Sequence, residues 1–226
     1  MSHDDQIPFD YPELVANPEP RCACLLVLDT SGSMRGQPIA ELNAGLVTLR
    51  DELMADAMAA QRVEIAVITF GPVRVQSDFQ SPDTWTPPHL QPTGDTPMGA
   101  AIEQGLKLLH TRKQVYRHSG ITYYRPWVFL ITDGAPTDSW RNAASLVHAG
   151  DNDERKSFSF FAVGVEGANM EILAQISRRE PLKLKGLSFR KLFAWLSISL
   201  GGVSRSTPGT QILLPPATGP SGWASV

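Results

Sequence analysis

Apolar and polar positions along the chain fall into blocks with two different periods. CACLLVLD, residues 22–29, is a continuous apolar run closed by an aspartate, as a central parallel strand covered on both faces reads. SGSMRGQP supplies turn residues, with Pro38 placed where a first helical turn tolerates it. From Ile39 to about Ala60, the residues Ile39, Leu42, Leu46, Leu49, Leu53 and Met54 recur at three- and four-residue intervals. That spacing predicts one long amphipathic helix. RVEIAVITFG is a second buried strand closed by Gly71-Pro72, and the alternation in VRVQSDF predicts an edge strand pairing with it. SPDTWTPPHLQPTGD is loop, because four prolines and a glycine forbid regular structure.

Thr96-Pro97 opens a further helix, MGAAIEQGLKLLHTRK, again with apolar three/four spacing. The segment Gln114 to Arg125 has no clear period and is expected as a loop or helix extension on the surface. PWVFLITDG is another strand ending in aspartate and glycine, followed by a helix within about Trp140–Ala149. SFSFFAVGV reads as a buried strand, Met170 to Arg178 as a short helix and PLKLKGL as extended chain. A final helix from Ser188 to Leu200 is expected to pack Leu192, Trp195, Leu196 and Ile198. Strands alternating with helices predict an α/β fold: a doubly wound, mainly parallel central sheet with helices on both faces and one antiparallel edge strand. The expected organisation is an arm at 1–20, one domain at 21–203, and a tail at 204–226 packed on that domain.

Composition changes this picture little. The 226 residues, 42% apolar and 19% charged, suit one globular domain. No apolar run reaches membrane-spanning length. The start, MSHDDQIPFDYPE, has neither a basic region nor an apolar core of a signal peptide, so a cytoplasmic location is expected. A net charge of −3 gives no general attraction to nucleic acid. The basic pairs Arg112-Lys113, Arg178-Arg179 and Lys183–Lys185 read as solvated helix ends and loops, with a local docking patch as the alternative. Cys22 and Cys24 point to the same face of one strand, lack further zinc ligands, and read as reduced, partly buried thiols.

Candidate chemistry sits at the junctions. Asp29, Ser31 and Ser33 end the first strand, Thr96 precedes a helix in GDTPMG, and Asp133 ends FLITD. In a doubly wound sheet such segments converge on a crevice at the carboxyl ends of the strands. Hydroxyls and carboxylates are hard oxygen donors, suited to Mg²⁺, Mn²⁺ or Ca²⁺ and not to zinc. If the carboxylates act through water, the ion stays electrophilic and seeks an external Asp, Glu or phosphate oxygen. Taken singly, each piece is equally well helix capping or turn chemistry; it is their order and placement together that point to a metal.

LLVLDTSGSM, GDTPMG and VFLITDG together resemble the metal-ion-dependent adhesion site (MIDAS) of von Willebrand factor A (VWA) domains, a Rossmann-like fold. Asp29, Ser31, Ser33, Thr96 and Asp133 match that pattern residue by residue. The resemblance implies that the serines and the threonine contact the metal directly and that the aspartates act through water. RVEIAVITFG, YYRPWVFLITDGAPTD, FFAVGV, FRKLFAWLSISL and the proline- and tryptophan-bearing tail resemble bacterial TerY-like proteins of tellurite-resistance and stress operons. That resemblance implies an adaptor for a protein kinase and a metal-dependent protein phosphatase, with no enzymatic activity of its own.

Other functions fit less well. A phosphatase of the haloacid dehalogenase type would use Asp29 as nucleophile, but the acid/base position two residues on is Ser31, and no strand-end lysine is evident. The serine loop lacks the first glycine of a hydrolase elbow, and no P-loop string occurs. His3, His89, His110, His118 and His148 read as surface or satisfied histidines. Asp95 is a candidate for orienting a metal-bound water, and Asp138 for capping the helix that begins near Trp140. Tyr123, Tyr124, Trp127 and Trp140 read as core or rim packing.

Overall fold

The computed structural model describes residue 14 and residues 16–152, 154–210 and 212–225. Most of the acidic N-terminal arm, His3 included, lies outside the described residues. Seven strands form one sheet: β1 (Cys22–Asp29), β2 (Val63–Phe70), β3 (Arg74–Gln80), β4 (Trp127–Thr132), β5 (Ser159–Gly164), β6 (Leu182–Leu184) and β7 (Ala224–Ser225). Their spatial order is β3-β2-β1-β4-β5-β6-β7. The central strands are parallel. β3 runs antiparallel on one edge, as the alternation in VRVQSDF predicts. At the other edge β7, from the tail, also runs antiparallel, which the two-residue stretch Ala224–Ser225 gave no periodicity to announce.

The eight residues of β1 are all buried because helices cover both faces. Cys22, Cys24, Leu26 and Leu28 pack toward the helices α1 (Gln37–Ala55) and α6 (Phe189–Ser204). Ala23, Leu25 and Val27 pack toward α3 (Met98–His118), α4 (Arg141–Gly150) and α5 (Met170–Ile176). Period-two alternation thus builds two cores from one apolar run. Both cysteines are free and fully buried, more than the partial burial expected, and burial pushes the Cys22 thiol up to about 12, with nearby Glu64 adding to it.

Several elements differ from the sequence reading. The helix expected to run unbroken to Ala60 ends at Ala55, and α2 (Ala57–Arg62) starts afresh. Asp56 makes the break: its side chain caps α2 by accepting from the N–H groups of Met58 and Ala59. Met54 and Ile198, expected on buried faces, are exposed. The aperiodic segment after Gln114 continues α3 to His118, and it is not a surface feature: Tyr116 and Tyr124 are buried.

Arg112 is also buried. Its Nε and Nη2 donate to Glu64 Oε2 and Oε1, both at 2.8 Å, and the Tyr116 hydroxyl donates to Oε2. Arg21 places Nε 3.1 Å from Oε1, an ion pair whose orientation makes no hydrogen bond. A carboxylate on β2 therefore draws two arginines into the interior, where an unpaired charge would be too costly to bury. Trp223 is buried at the far edge beside Trp195, their ring centroids 5.6 Å apart. Among the described residues, no helix is long and apolar enough to cross a membrane.

Candidate metal centre

β1 and β4 are neighbours whose outgoing connections diverge, α1 to one face and α4 to the other, so the crevice lies beyond their carboxyl ends. Asp29 ends β1 and is fully buried. Its Oδ1 accepts the Ser31 N–H at 2.8 Å, holding the following loop in a tight turn. Its Oδ2 accepts the Thr132 hydroxyl at 2.5 Å, from the last residue of β4. The loop then forms a single 3-10 turn, Gly32–Met34, that presents the serines. Ser31 and Ser33 place their hydroxyls 2.9 Å apart, and the Ser33 hydroxyl donates to Asp133 Oδ1 at 2.7 Å. Four of the five predicted residues are thereby linked through hydrogen bonds.

Thr96 joins them through backbone contacts. The Thr96 N–H donates to the Thr137 hydroxyl at 3.1 Å, and the Thr137 N–H returns to the Thr96 carbonyl at 2.9 Å. The same loop accepts the Gly32 N–H on the Gly94 carbonyl at 3.0 Å. Thr96 is buried, with its hydroxyl 3.7 Å from the point where a Cβ on Gly134 would stand. Gly71, at φ +117°, lets these loops close: a Cβ there would come within 2.6 Å of the Thr93 carbonyl and 2.7 Å of the Ser31 nitrogen.

The electrostatics are unusual for a loop cluster. Burial pushes the Asp29 carboxyl above its ordinary value, the hydrogen bonds from Ser31 and Thr132 oppose that, and the charge of Asp133 adds to it. Asp133 is itself 9% exposed. Among the described residues, the ion pairs include no lysine or arginine on either carboxylate. Two adjacent, nearly buried carboxylates without a cationic partner suit a bound cation. No three His, Cys, Asp or Glu side chains among the described residues gather as a metal site, so a cation here would rest largely on hydroxyls. A hollow of about 200 Å³ bordered by Thr30, Thr69, Arg74 and His89 adjoins the crevice.

One neighbouring role differs from expectation. Asp138 does not cap α4; its carboxylate accepts the Gly99 and Ala100 N–H groups at 2.9 and 2.8 Å, capping α3 and tying that helix start to the loop after β4. Asp95 is exposed. Thr132, which sequence reasoning passed over, holds Asp29 in place; its only signal was a hydroxyl just before a strand-end aspartate. His89, His110, His118 and His148 are all exposed, in keeping with surface histidines.

A family model for the von Willebrand factor type A domain matches residues 25–190, and the chain belongs to that family. Among solved structures, the fold is similar to proximal thread matrix protein 1 from the mussel byssus, in a form with a zinc-occupied MIDAS motif. That likeness has a TM-score of 0.54 and 14% identity, covering 81% of this chain and 48% of that one. It is similar also to the open conformation of the pilus adhesin SpaC from Lactobacillus rhamnosus GG, with TM-score 0.64, 13% identity, and coverage of 82% and 31%. The VWA domain of SpRpn10 matches with TM-score 0.50 and 12% identity, covering 69% of this chain and 80% of that one. The chain spans about half the length of the mussel protein and about a third of the adhesin. At these identities the likeness is one of fold. No curated protein sequence matches the chain.

Proposed function

We propose that the crevice is a MIDAS: Ser31, Ser33 and Thr96 hold a divalent cation directly, Asp29 and Asp133 hold it through water, and the loaded site docks a protein partner. The observation that carries this reading is the pair Asp29 and Asp133, nearly buried and side by side with no basic residue paired to either among the described residues, set among three hydroxyls. When bound, Mg²⁺ or Mn²⁺ would offer an open, electrophilic position to an anionic oxygen. Hydroxyl-rich, charge-poor coordination favours these ions or Ca²⁺; the zinc in the mussel protein's MIDAS makes zinc a competitor to include in any titration. Arg74 beside the crevice suits a partner that presents Asp, Glu or a phosphorylated residue.

The chain's own hydrogen bonds set the oxygen-bearing side chains in place. Ser31 and Ser33 are fixed by Asp29 and Asp133, and Thr96 by Thr137, so the donors are preorganised before a partner arrives. The resemblance to TerY-like proteins supports a partner drawn from a kinase- and phosphatase-linked stress response such as tellurite resistance, in the cytoplasm. The phosphatase reading of Asp29 draws no support from its surroundings: both carboxylate oxygens accept hydrogen bonds and the residue is fully buried, which leaves no exposed nucleophile.

The test is co-purification of the native partner with the wild-type chain, with and without chelator, and with Thr96→Ala. Chelator and Thr96→Ala should each weaken the complex by roughly two orders of magnitude, about 2–5 kcal/mol for a partner charge left unpaired. Chelator should then have little further effect on the variant. A complex indifferent to both treatments means that the partner docks elsewhere.

A further inference from the structure

At the opposite end of the sheet, where β4 and β5 begin at Trp127 and Ser159, lies a cleft of about 710 Å³. Its walls come from the C-terminal half of α3, the segments around 123–127 and 155–161, and Gly209, Thr210, Ile212 and Leu214 of the tail. Among the described lining residues, six side chains are cationic (Lys113, Arg117, Arg125, Arg155, Lys156 and Arg179) and none is acidic. The chain as a whole carries −3, so this concentration of positive charge is local and not a reflection of composition.

Arg125 and Arg179 are held to the concavity by one shared carboxylate, while Arg117, Arg155 and Lys156 stand exposed at its rim. Asp151, buried beneath, takes Arg125 at 2.7 Å and Arg179 at 3.0 Å on Oδ1, while its Oδ2 takes the Phe160 N–H at 3.1 Å. One carboxylate thus orients two guanidinium groups and is shared between them. Arg179 also lies over the Phe161 ring, 5.3 Å from its centroid. Lys113 is half-buried and donates to the Ser157 carbonyl at 3.0 Å; burial, and then the charge of Arg117 one turn on, press its ammonium below the ordinary value. Lys156 has a left-handed backbone, φ 45°, which a residue with a side chain adopts rarely and which tends to mark a functional turn. Crowded, mutually repelling cations with fixed guanidinium planes are stabilised by a multiply charged anion.

We propose that this cleft binds a compact organic polyphosphate of the nucleoside-phosphate class, independently of the metal centre. The cleft has the size of a small-molecule site. Its guanidinium groups match phosphate oxygens bidentately. Trp127 and Phe161, with Ile212 and Leu214 of the tail, give it an apolar wall for the organic part. The tail closes one side, so the site is a bounded concavity and not a track along which a nucleic-acid backbone would run. The opposite ends of β4 separate it from the crevice, which makes a second, metal-independent ligand compatible with partner docking there.

Calorimetry on the full chain with ATP, and separately with inorganic triphosphate, tests this; EDTA throughout removes any contribution from the metal centre. One ATP should bind per chain, with affinity falling by about tenfold or more when salt is raised from low to high ionic strength. The pair Arg117→Glu and Lys156→Glu, both exposed positions, should weaken binding by about tenfold or more, with an unchanged melting temperature as the folding control. Arg155→Glu provides a second, independent exposed variant, and Asp29→Ala should leave ATP binding as it was. Triphosphate binding as tightly as ATP would support recognition of the phosphate chain alone; weaker binding would support a contribution from the apolar wall. Absence of binding by both probes at millimolar concentration, or binding that survives the charge reversals, overturns the proposal. So does a phosphopeptide that binds where ATP does not, which would make the cleft a protein-docking surface.

Discussion

Ser33 donates its hydroxyl to Oδ1 of Asp133 at 2.7 Å, across one hundred residues of sequence. The bond spans the loops that follow two neighbouring strands, β1 and β4. Ser33 uses its proton on Asp133, so its hydroxyl oxygen, 2.9 Å from that of Ser31, keeps lone pairs for another ligand. Ser33→Ala should therefore lower metal affinity strongly while changing stability by only about 0.5–1.5 kcal/mol, the net worth of one hydrogen bond. Urea unfolding without metal, set beside a metal titration of the same variant, separates the two effects. A loss of stability matching the loss of affinity would make Ser33 a structural residue.

Asp29 gives a prediction with a definite sign. Its carboxyl is pushed above 3.8 chiefly by burial, with Asp133 adding to it. A carboxyl raised in the folded state contributes stability that is full below the unfolded value and is lost as pH rises through the folded value. At neutral pH and without metal, ionised Asp29 is thus a burden on the fold. Asp29→Asn should raise the melting temperature of the metal-free protein at pH 7, with the gain shrinking toward pH 3. The same variant should lose the stabilisation that added Mg²⁺ or Mn²⁺ gives the wild type. A variant that melts lower than wild type without metal at pH 7 would show that the aspartate is already compensated.

Glu64 carries the interior ion network at the other end of the sheet. It accepts Arg112 twice at 2.8 Å and Tyr116 once, with Arg21 at 3.1 Å. Glu64→Gln leaves two buried arginines facing a neutral amide, and should destabilise the chain by about 3–5 kcal/mol in urea unfolding. Metal binding per folded molecule should be unchanged. A cost below about 1 kcal/mol would mean that water reaches these guanidinium groups.

How far the sequence carried the reading follows from what each signal depends on. β1, β2, β4 and β5 were legible because strands covered on both faces are apolar throughout, and β3 because an edge strand alternates. The break at Asp56 was not, since the apolar three/four spacing runs on past a residue whose side chain starts a new helix. Arg112 and Tyr116 read as surface because their burial rests on Glu64, 48 and 52 residues away, a pairing that local pattern does not contain. Local sequence points Asp138 to the helix that follows it, whereas folding brings it to α3, 39 residues back. Asp29, Ser31, Ser33, Thr96 and Asp133 could be picked out because each stands at a junction that this topology turns toward one crevice. Thr132 and Gly71, which hold those residues in place, carry no comparable mark.

The central claim is that five oxygen-bearing side chains hold one divalent cation, and a Mn²⁺ titration of the purified chain, followed by electron paramagnetic resonance, addresses it directly. The account predicts one bound ion per chain, displaced by excess Mg²⁺, and no detectable binding in Asp29→Ala or Ser31→Ala although both variants keep wild-type circular dichroism. Thr96→Ala should retain the fold and bind at least about tenfold more weakly. Equal Mn²⁺ binding by the wild type and by folded Asp29→Ala and Ser31→Ala would contradict it.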